Sequence, residues 1–388
     1  MIVTNRRQMA RLFHDRMNGN YRDDPNERQP GRRPEVVKSY LVDAYGTWSP
    51  GEADESPFVS RLAEIVDGSG LGSRFTCEVH PAETGDLATI CARMGDRTST
   101  YLHVDAEDPR FWIVHATATG QAADRIVALL VEGSTRINRV LIPVQLLDRV
   151  RMLGTCVGLG LDFDRRLFST HADGNDGSRM GSLKMQQWGH EAGRLLEYMR
   201  HEPSFADRTT LSRLQIRCQP DGGDGTAFSV EEIRIDGKLT AKGTWFEGHA
   251  NMVRTLKGAF SGVVGQLESN HAIQVGSTGD VVTGKALAID TGRRIEDLDA
   301  FTRKVFSGAR PFQLWGVPRG GDGLVRVRAT DLGLGGRLDF EITPAFIRIY
   351  LPSTTSGSTV LRFYANLQRH HDACVRLVNE EEMDVLES

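Results

Sequence analysis

Asp162 and Asp164, two residues apart in LGLDFD, are the first pair whose spacing suits chemistry. In an extended strand both carboxylates share one face, about 7 Å apart. With His171 they form a candidate set for a divalent ion and metal-assisted hydrolysis. The same alternation also describes a wet strand face opposite Leu159, Leu161 and Phe163. A second cluster, Glu232, Asp236, Lys238 and Lys242, falls on one hairpin. Restriction-type nucleases pair metal-binding acids with a lysine, but their Glu-x-Lys step is missing. Asp236-Gly237 is explained by a tight turn. Glu247 and His249 open the helix that follows. His249 precedes Val253 by four and Leu256 by seven, so it falls on the apolar side, where a buried, hydrogen-bonded histidine is expected rather than a catalytic base. His370 and His371 point about 100° apart on a helix and suit a surface better than a shared metal.

Two features suit anions. The loop PSTTSGST at 352–359 leads a strand into a helix. Free backbone N–H groups, the helix dipole and the hydroxyls of Ser356, Ser358 and Thr359 make it a candidate phosphate site. A Ser/Thr helix cap accounts for the same residues. The second feature lies between 324 and 351. Val325 and Val327 alternate with Arg326 and Arg328; Leu338, Phe340 and Ile342 alternate with Arg337, Asp339 and Glu341; Arg348 follows. One face of such a sheet is apolar. The other carries four arginines and two acids, either as cross-strand ion pairs or as a platform for a phosphate backbone.

Composition narrows the field. Of 47 basic residues, 40 are Arg and 7 Lys, yet the net charge is −4, so no global basic field draws in nucleic acid. The arginine excess suits bidentate contacts to phosphate or carboxylate, and equally a GC-rich coding sequence. The phosphate-loop, dinucleotide, nucleophile-elbow and HExxH signatures are all missing, so no cofactor is expected. The loop from Asp173 follows a calcium loop for three residues, then has Gly177 at position 5 and Lys184 where a Glu is needed. Five cysteines without a CxxC indicate neither disulfides nor zinc. The start lacks the apolar core of a secretory signal, and no apolar run approaches the ~20 residues of a membrane helix. A cytoplasmic protein without membrane attachment is expected.

The elements that must position these residues read as mixed α+β: antiparallel sheets covered by long helices, in two or three domains. Residues 1–34 begin helical and become a polar arm with eight arginines. Residues 35–205 form an N-terminal mixed domain. It opens with two helices, the first carrying Val37, Leu41, Ala44 and Tyr45 and the second starting at Ser56-Pro57. Strands follow over 74–104, then a strand–helix–strand unit over 111–142, a helix after Pro143, a strand at 156–163 and a helix at 183–201. Residues 206–388 form the C-terminal domain, with strands at 211–218, 227–235 and 238–243, a long helix at 246–269, four closing strands, and a helix at 358–378. The reading that fits best is a non-catalytic, nucleic-acid-associated component of a bacterial multiprotein assembly, with other protein subunits as partners and antiviral defence as one setting. A divergent metal-dependent hydrolase or nuclease, and a sensor of a phosphate-containing small molecule or nucleotide, are the alternatives.

Overall fold

The computed structural model describes residues 1–22, 36–45, 58–95, 99–117, 121–168, 182–220, 222, 226–275, 282–321, 323–378 and 384–386. Helix α1 (Arg6–Arg22) precedes strand β1 (Val37–Asp43) and helix α2 (Phe58–Gly68). Strands β2 (Thr76–Pro81), β3 (Leu87–Arg93), β4 (Thr100–Asp105) and β5 (Phe111–Thr117) form a meander. Helix α3 (Ala122–Glu132), strand β6 (Asn138–Arg139), helix α4 (Val144–Arg151), strands β7 (Thr155–Asp164) and β8 (Ser182–Trp188), and helix α5 (Ala192–His201) come next. Strands β9 (Leu211–Cys218), β10 (Ser229–Arg234) and β11 (Lys238–Gly243) lead into helix α6 (Phe246–His271). Short strands β12 (Gln274–Val275), β13 (Val282–Thr283) and β14 (Leu287–Asp290) precede helix α7 (Leu298–Val305). Strands β15 (Leu314–Gly316), β16 (Arg319–Gly321), β17 (Leu324–Asp331), β18 (Arg337–Ile342) and β19 (Phe346–Tyr350) follow, and helix α8 (Gly357–His370) and strand β20 (Arg376–Val378) close the chain. The protein is mixed α+β, built on antiparallel sheets.

The chain gathers into two compact units whose segments interleave. One holds Met1–Val140, Leu153–Thr155 and Gln215–Lys257; the other holds Leu141–Met152, Cys156–Leu214 and Gly258–Ser388. Both run across the division expected at 205/206.

In the first unit the strand order is β2-β3-β4-β5-β1-β11-β10. Strand β1 lies near the centre, and all seven of its residues are buried. This corrects the expected helix at 35–45. Tyr40 and Val42 pack with Phe58, Leu62 and Ile65 of α2 and Ile126, Val127 and Leu130 of α3. On the opposite face Val37 packs with Met9, Phe13 and Met17 of α1. A strand covered on both faces needs no polar alternation, so the helix-like spacing of Val37, Leu41 and Ala44 is coincidental. The Ser56-Pro57 start lies outside the described residues. The Asp236-Gly237 turn forms as expected, with Gly237 at φ 72°.

In the second unit a sheet runs β15-β17-β18-β19-β14-β20, with β16 also paired to β17. Val325, Val327, Leu338, Phe340, Ile347 and Ile349 are buried on one face. Phe363 of α8 covers it, its ring 5.2 Å from that of Phe340. Helix α8 ends at His370, short of the expected 378, and Arg376–Val378 instead adds an edge strand beside β14. The helix expected at 183–201 is also divided. Residues 182–188 alternate in exposure and pair with β7. Gly189 at φ 114° then breaks the strand before α5. Trp188, which closes the strand, is exposed. The apolar positions expected along the long helix, from Phe246 to Leu267, are all buried, as are Leu361 and Leu367.

Candidate nucleic-acid interface

Antiparallel register decides which side chains share a face, because directly paired residues point the same way. Arg326 pairs with Glu341, Arg328 with Asp339, and Thr330 with Arg337. Glu341 pairs in turn with Arg348, and Asp339 with Tyr350. Trp315 is opposite Thr330, and Arg319 opposite Arg326. At the far side Arg348 pairs with Ala288, Phe346 with Asp290, and Asp290 with Arg376. The sheet therefore presents six arginines, three acids and three aromatic rings on one side, away from α8. Trp315, Arg319, Arg326, Arg328, Arg337 and Tyr350 line a shallow concavity there. A second concavity shares Tyr350 and continues past Arg348 to Arg376.

The cross-strand ion pairs expected on this face form. Arg326 Nε donates to Glu341 Oε1 at 3.0 Å and Arg328 Nε donates to Asp339 Oδ1 at 3.0 Å. Arg348 Nη1 reaches Glu341 Oε2 at 3.4 Å, and the Tyr350 hydroxyl donates to the same oxygen. Desolvation is the largest single effect on the Glu341 carboxylate and raises its pKa, but the Tyr350 and Arg326 hydrogen bonds and the nearby guanidinium charges together hold it below the usual value. These contacts leave the arginines wet: the Arg326 and Arg328 side chains are 69% and 79% exposed. Each donates to its acid through Nε. Among the described residues no carboxylate lies within 4.0 Å of Arg337 or Arg319, both exposed. The ion pairs hold the arginines extended without using up their donors.

At the other candidate sites the described side chains already have partners within the chain. Asp162 Oδ2 accepts from Arg369 at 2.5 Å. Asp164 accepts from Arg166 Nε at 2.8 Å and caps the short turn after β7. The Arg166 hydrogen bond holds the Asp164 carboxyl at about 2. Carboxylates already neutralised by arginine are poor metal donors. His171 lies outside the described residues, as does the loop from Asp173 to Met180. No group of three or more His, Cys, Asp or Glu side chains suited to a metal occurs among the described residues.

The 352–359 loop is a helix cap. Ser356 is the N-cap, its hydroxyl accepting from Ser358 N. Gly357 N donates to Glu268 Oε1 at 2.7 Å and Thr359 Oγ1 donates to Asp331 Oδ2 at 2.6 Å. Ser356, Ser358 and Thr359 are buried. Two carboxylates, Glu268 and Asp331, thus already accept from donors of this loop. His370 and His371, expected at the surface, are buried: His370 Nδ1 bonds the Asp164 carbonyl and His371 Nε2 the Arg293 carbonyl. On the 232–242 hairpin, Lys238 binds Asp124 at 2.6 Å, Asp236 lies 3.3 Å from Arg234, and no metal set forms.

One constellation was missed from the sequence. Ser39 of β1, His115 of β5, Glu231 of β10 and His249 of α6 form a continuous chain in the first unit. His249 Nδ1 lies 2.7 Å from Glu231 Oε2, His249 Nε2 is 2.7 Å from Ser39 Oγ, and Ser39 Oγ is 2.7 Å from His115 Nδ1. The order carboxylate, imidazole, hydroxyl is that of an activated nucleophile. It is sealed, however: Ser39, Glu231 and His249 are 0% exposed. Phe13 of α1 sits 5.6 Å from the His115 ring and 5.2 Å from the Phe246 ring. His249 is thus the buried, hydrogen-bonded histidine that its helical phase implied. Partners spread over four elements, separated by up to 210 residues, leave no local motif.

Fold and face together define a mixed α+β protein with an arginine-rich, aromatic-bearing open sheet face. A family model of MJECL33-like proteins matches residues 1–386, and the chain belongs to that family. It is 23% identical over 410 aligned positions to the uncharacterized protein MJECL33 of Methanocaldococcus jannaschii, with 96% of this chain and 93% of that protein covered.

Proposed function

We propose that this chain is a non-catalytic nucleic-acid-binding component of a larger assembly, and that the open face of the second unit's sheet carries the contact. The observation behind this reading is the register itself: Arg319, Arg326, Arg328, Arg337 and Arg348 share one face with only Asp339 and Glu341 among them. That local surplus of positive charge is hidden by the global −4. Phosphate contacts give affinity that falls with salt, at roughly −0.7 in log affinity per log salt for each contact on a single strand and −0.9 on duplex DNA. Assembly with other protein subunits in the cytoplasm is the setting in which a binding module without its own chemistry is useful. Among the described residues no helix is long and apolar enough to cross a membrane.

The test is the paired substitution Arg326→Ala and Arg328→Ala. Affinity for labelled DNA and RNA, read by fluorescence anisotropy, should fall at low salt. The salt slope should flatten by roughly 1.4 to 1.8 if both arginines meet phosphate. Stability should barely change, since exposed pairs contribute about 0–1 kcal/mol each. A double variant with wild-type affinity and slope removes this face from the reading.

A further inference from the structure

We infer that the ligand of this face is single-stranded nucleic acid, its bases stacked on Trp315 and Phe346 and its phosphates held by the surrounding arginines; this rests on the nucleic-acid reading above. Three observations lead there. The first is the placement of aromatic rings. Trp315 is 55% exposed on the arginine side of the sheet, although a buried indole would contribute far more to stability. Phe346 is exposed on the same side, with the Arg348 guanidinium 5.6 Å from its ring centroid. Val317 and Leu324 add exposed apolar surface beside Trp315. A duplex keeps its bases stacked on one another and offers such rings nothing. A single strand offers a π-face at every base.

The second observation is the position of the acids. Asp339 and Glu341 lie on β18, flanked by the arginines of β17 and β19. For a surface that met only phosphate, carboxylates in that place would be repulsive. Their oxygens instead suit the amino groups on base edges, which pairing occupies in a duplex and an unpaired strand exposes. The third is the span. From β15, which carries Trp315, to β19, which carries Phe346, the sheet order crosses three strand spacings. At about 4.8 Å each that is roughly 14 Å across the strands. Trp315 lies at the level of Thr330 and Phe346, by register, at that of Leu324, about six residues or roughly 20 Å further along them. The rings are thus roughly 24 Å apart, around seven times the 3.4 Å rise of bases in a duplex strand. The two rings therefore engage bases that are not stacked neighbours, with arginine and acid side chains between them.

The probes are oligothymidylate and oligouridylate of about 15 nucleotides, longer than one site of this kind, beside a duplex of equal length. The intact chain should bind the single strands more tightly than the duplex, and binding should quench tryptophan emission. Trp315→Ala should weaken single-strand binding about 10-fold, in line with one lost stacking contact, and leave the salt slope unchanged. Trp315→Phe should recover most of the loss. The arginine double variant should do the reverse, flattening the slope. Equal affinity for duplex and single strand, with Trp315→Ala indistinguishable from wild type, overturns the stacking assignment while the arginine platform stands. Loss of binding to neither class on either substitution, or no binding by the intact chain, overturns both. The two oligomers separate DNA from RNA as the source of the strand.

Discussion

Replacing His249 by Leu should destabilise the first unit far more than the change in volume implies. Glu231 is fully buried, its Oε2 is held by His249 Nδ1, and its Oε1 has no partner among the described residues. Leucine keeps most of the packing against Phe246 and Phe13 but removes the donor. Stripping one member from a buried pair costs about 3–5 kcal/mol, because the remaining charge is left uncompensated. Glu231→Leu alone leaves the imidazole bonded to Ser39 with one ring nitrogen unmet, which costs about 1–3 kcal/mol. In the double variant neither orphan remains and Ser39 keeps His115, so the total should fall well below the sum, with a coupling of at least about 2 kcal/mol. With two compact units in the chain, a single unfolding midpoint mixes them. Amide hydrogen exchange in β1 and β11, followed by mass spectrometry of the full chain, reads the affected unit directly. Additive losses would show that the four side chains are neighbours without energetic coupling, and would refute the buried-pair argument.

Two further outcomes follow from the same region. Burial pushes the pKa of His103 down to about 4; burial, helped by the nearby His249, takes His115 to about 3. The folded state therefore resists protonation while the unfolded chain takes it up near the ordinary 6.5. Stability is complete above that value and is lost as the pH falls toward 4, by about 2 kcal/mol per histidine at pH 5. Urea titrations at pH 7 and pH 5 should show that loss, and His103→Gln should remove its share of the difference; a flat profile would mean the rings are solvated. The intact chain should also resist a fluorophosphonate probe, since α1 covers Ser39. Labelling that disappears in Ser39→Ala would show that the cover opens and that the buried chain is a working nucleophile.

The parts of this molecule that could be read from the sequence are those where one face meets water. In β17, β18 and β19 the alternation of Arg with Val, Leu, Phe and Ile specified strand, phase and wet face, because only one side is buried. The amphipathic α6 was legible for the same reason. Strand β1 was not: covered on both sides, VKSYLVD shows no alternation, and its spacing mimics a helix turn. The 183–201 segment failed differently. Its apolar residues fit a helix, but SLKMQQW also fits a strand, and the choice falls to pairing with β7, which no local window contains.

The candidate site follows the same divide. A wet face built from consecutive strands leaves its charges in the sequence at period two, and the arginines of 326–348 could be named from that period. Trp315 sits on a three-residue strand with no period to display, so its membership of the face emerges only from its pairing with Thr330. The helix cap at 352–359 shows the opposite case, where a local pattern is visible but ambiguous. Serines and threonines at a helix start suit a phosphate or a cap equally, and Glu268 and Asp331, from elsewhere in the unit, decide for the cap. Local patterns supplied the donors on this protein's surface. Partners distant in the chain determine which of those donors are already spent. On the sheet face Arg326 and Arg328, paired through Nε yet largely exposed, still meet water, as do Arg319 and Arg337, exposed with no carboxylate within 4.0 Å among the described residues.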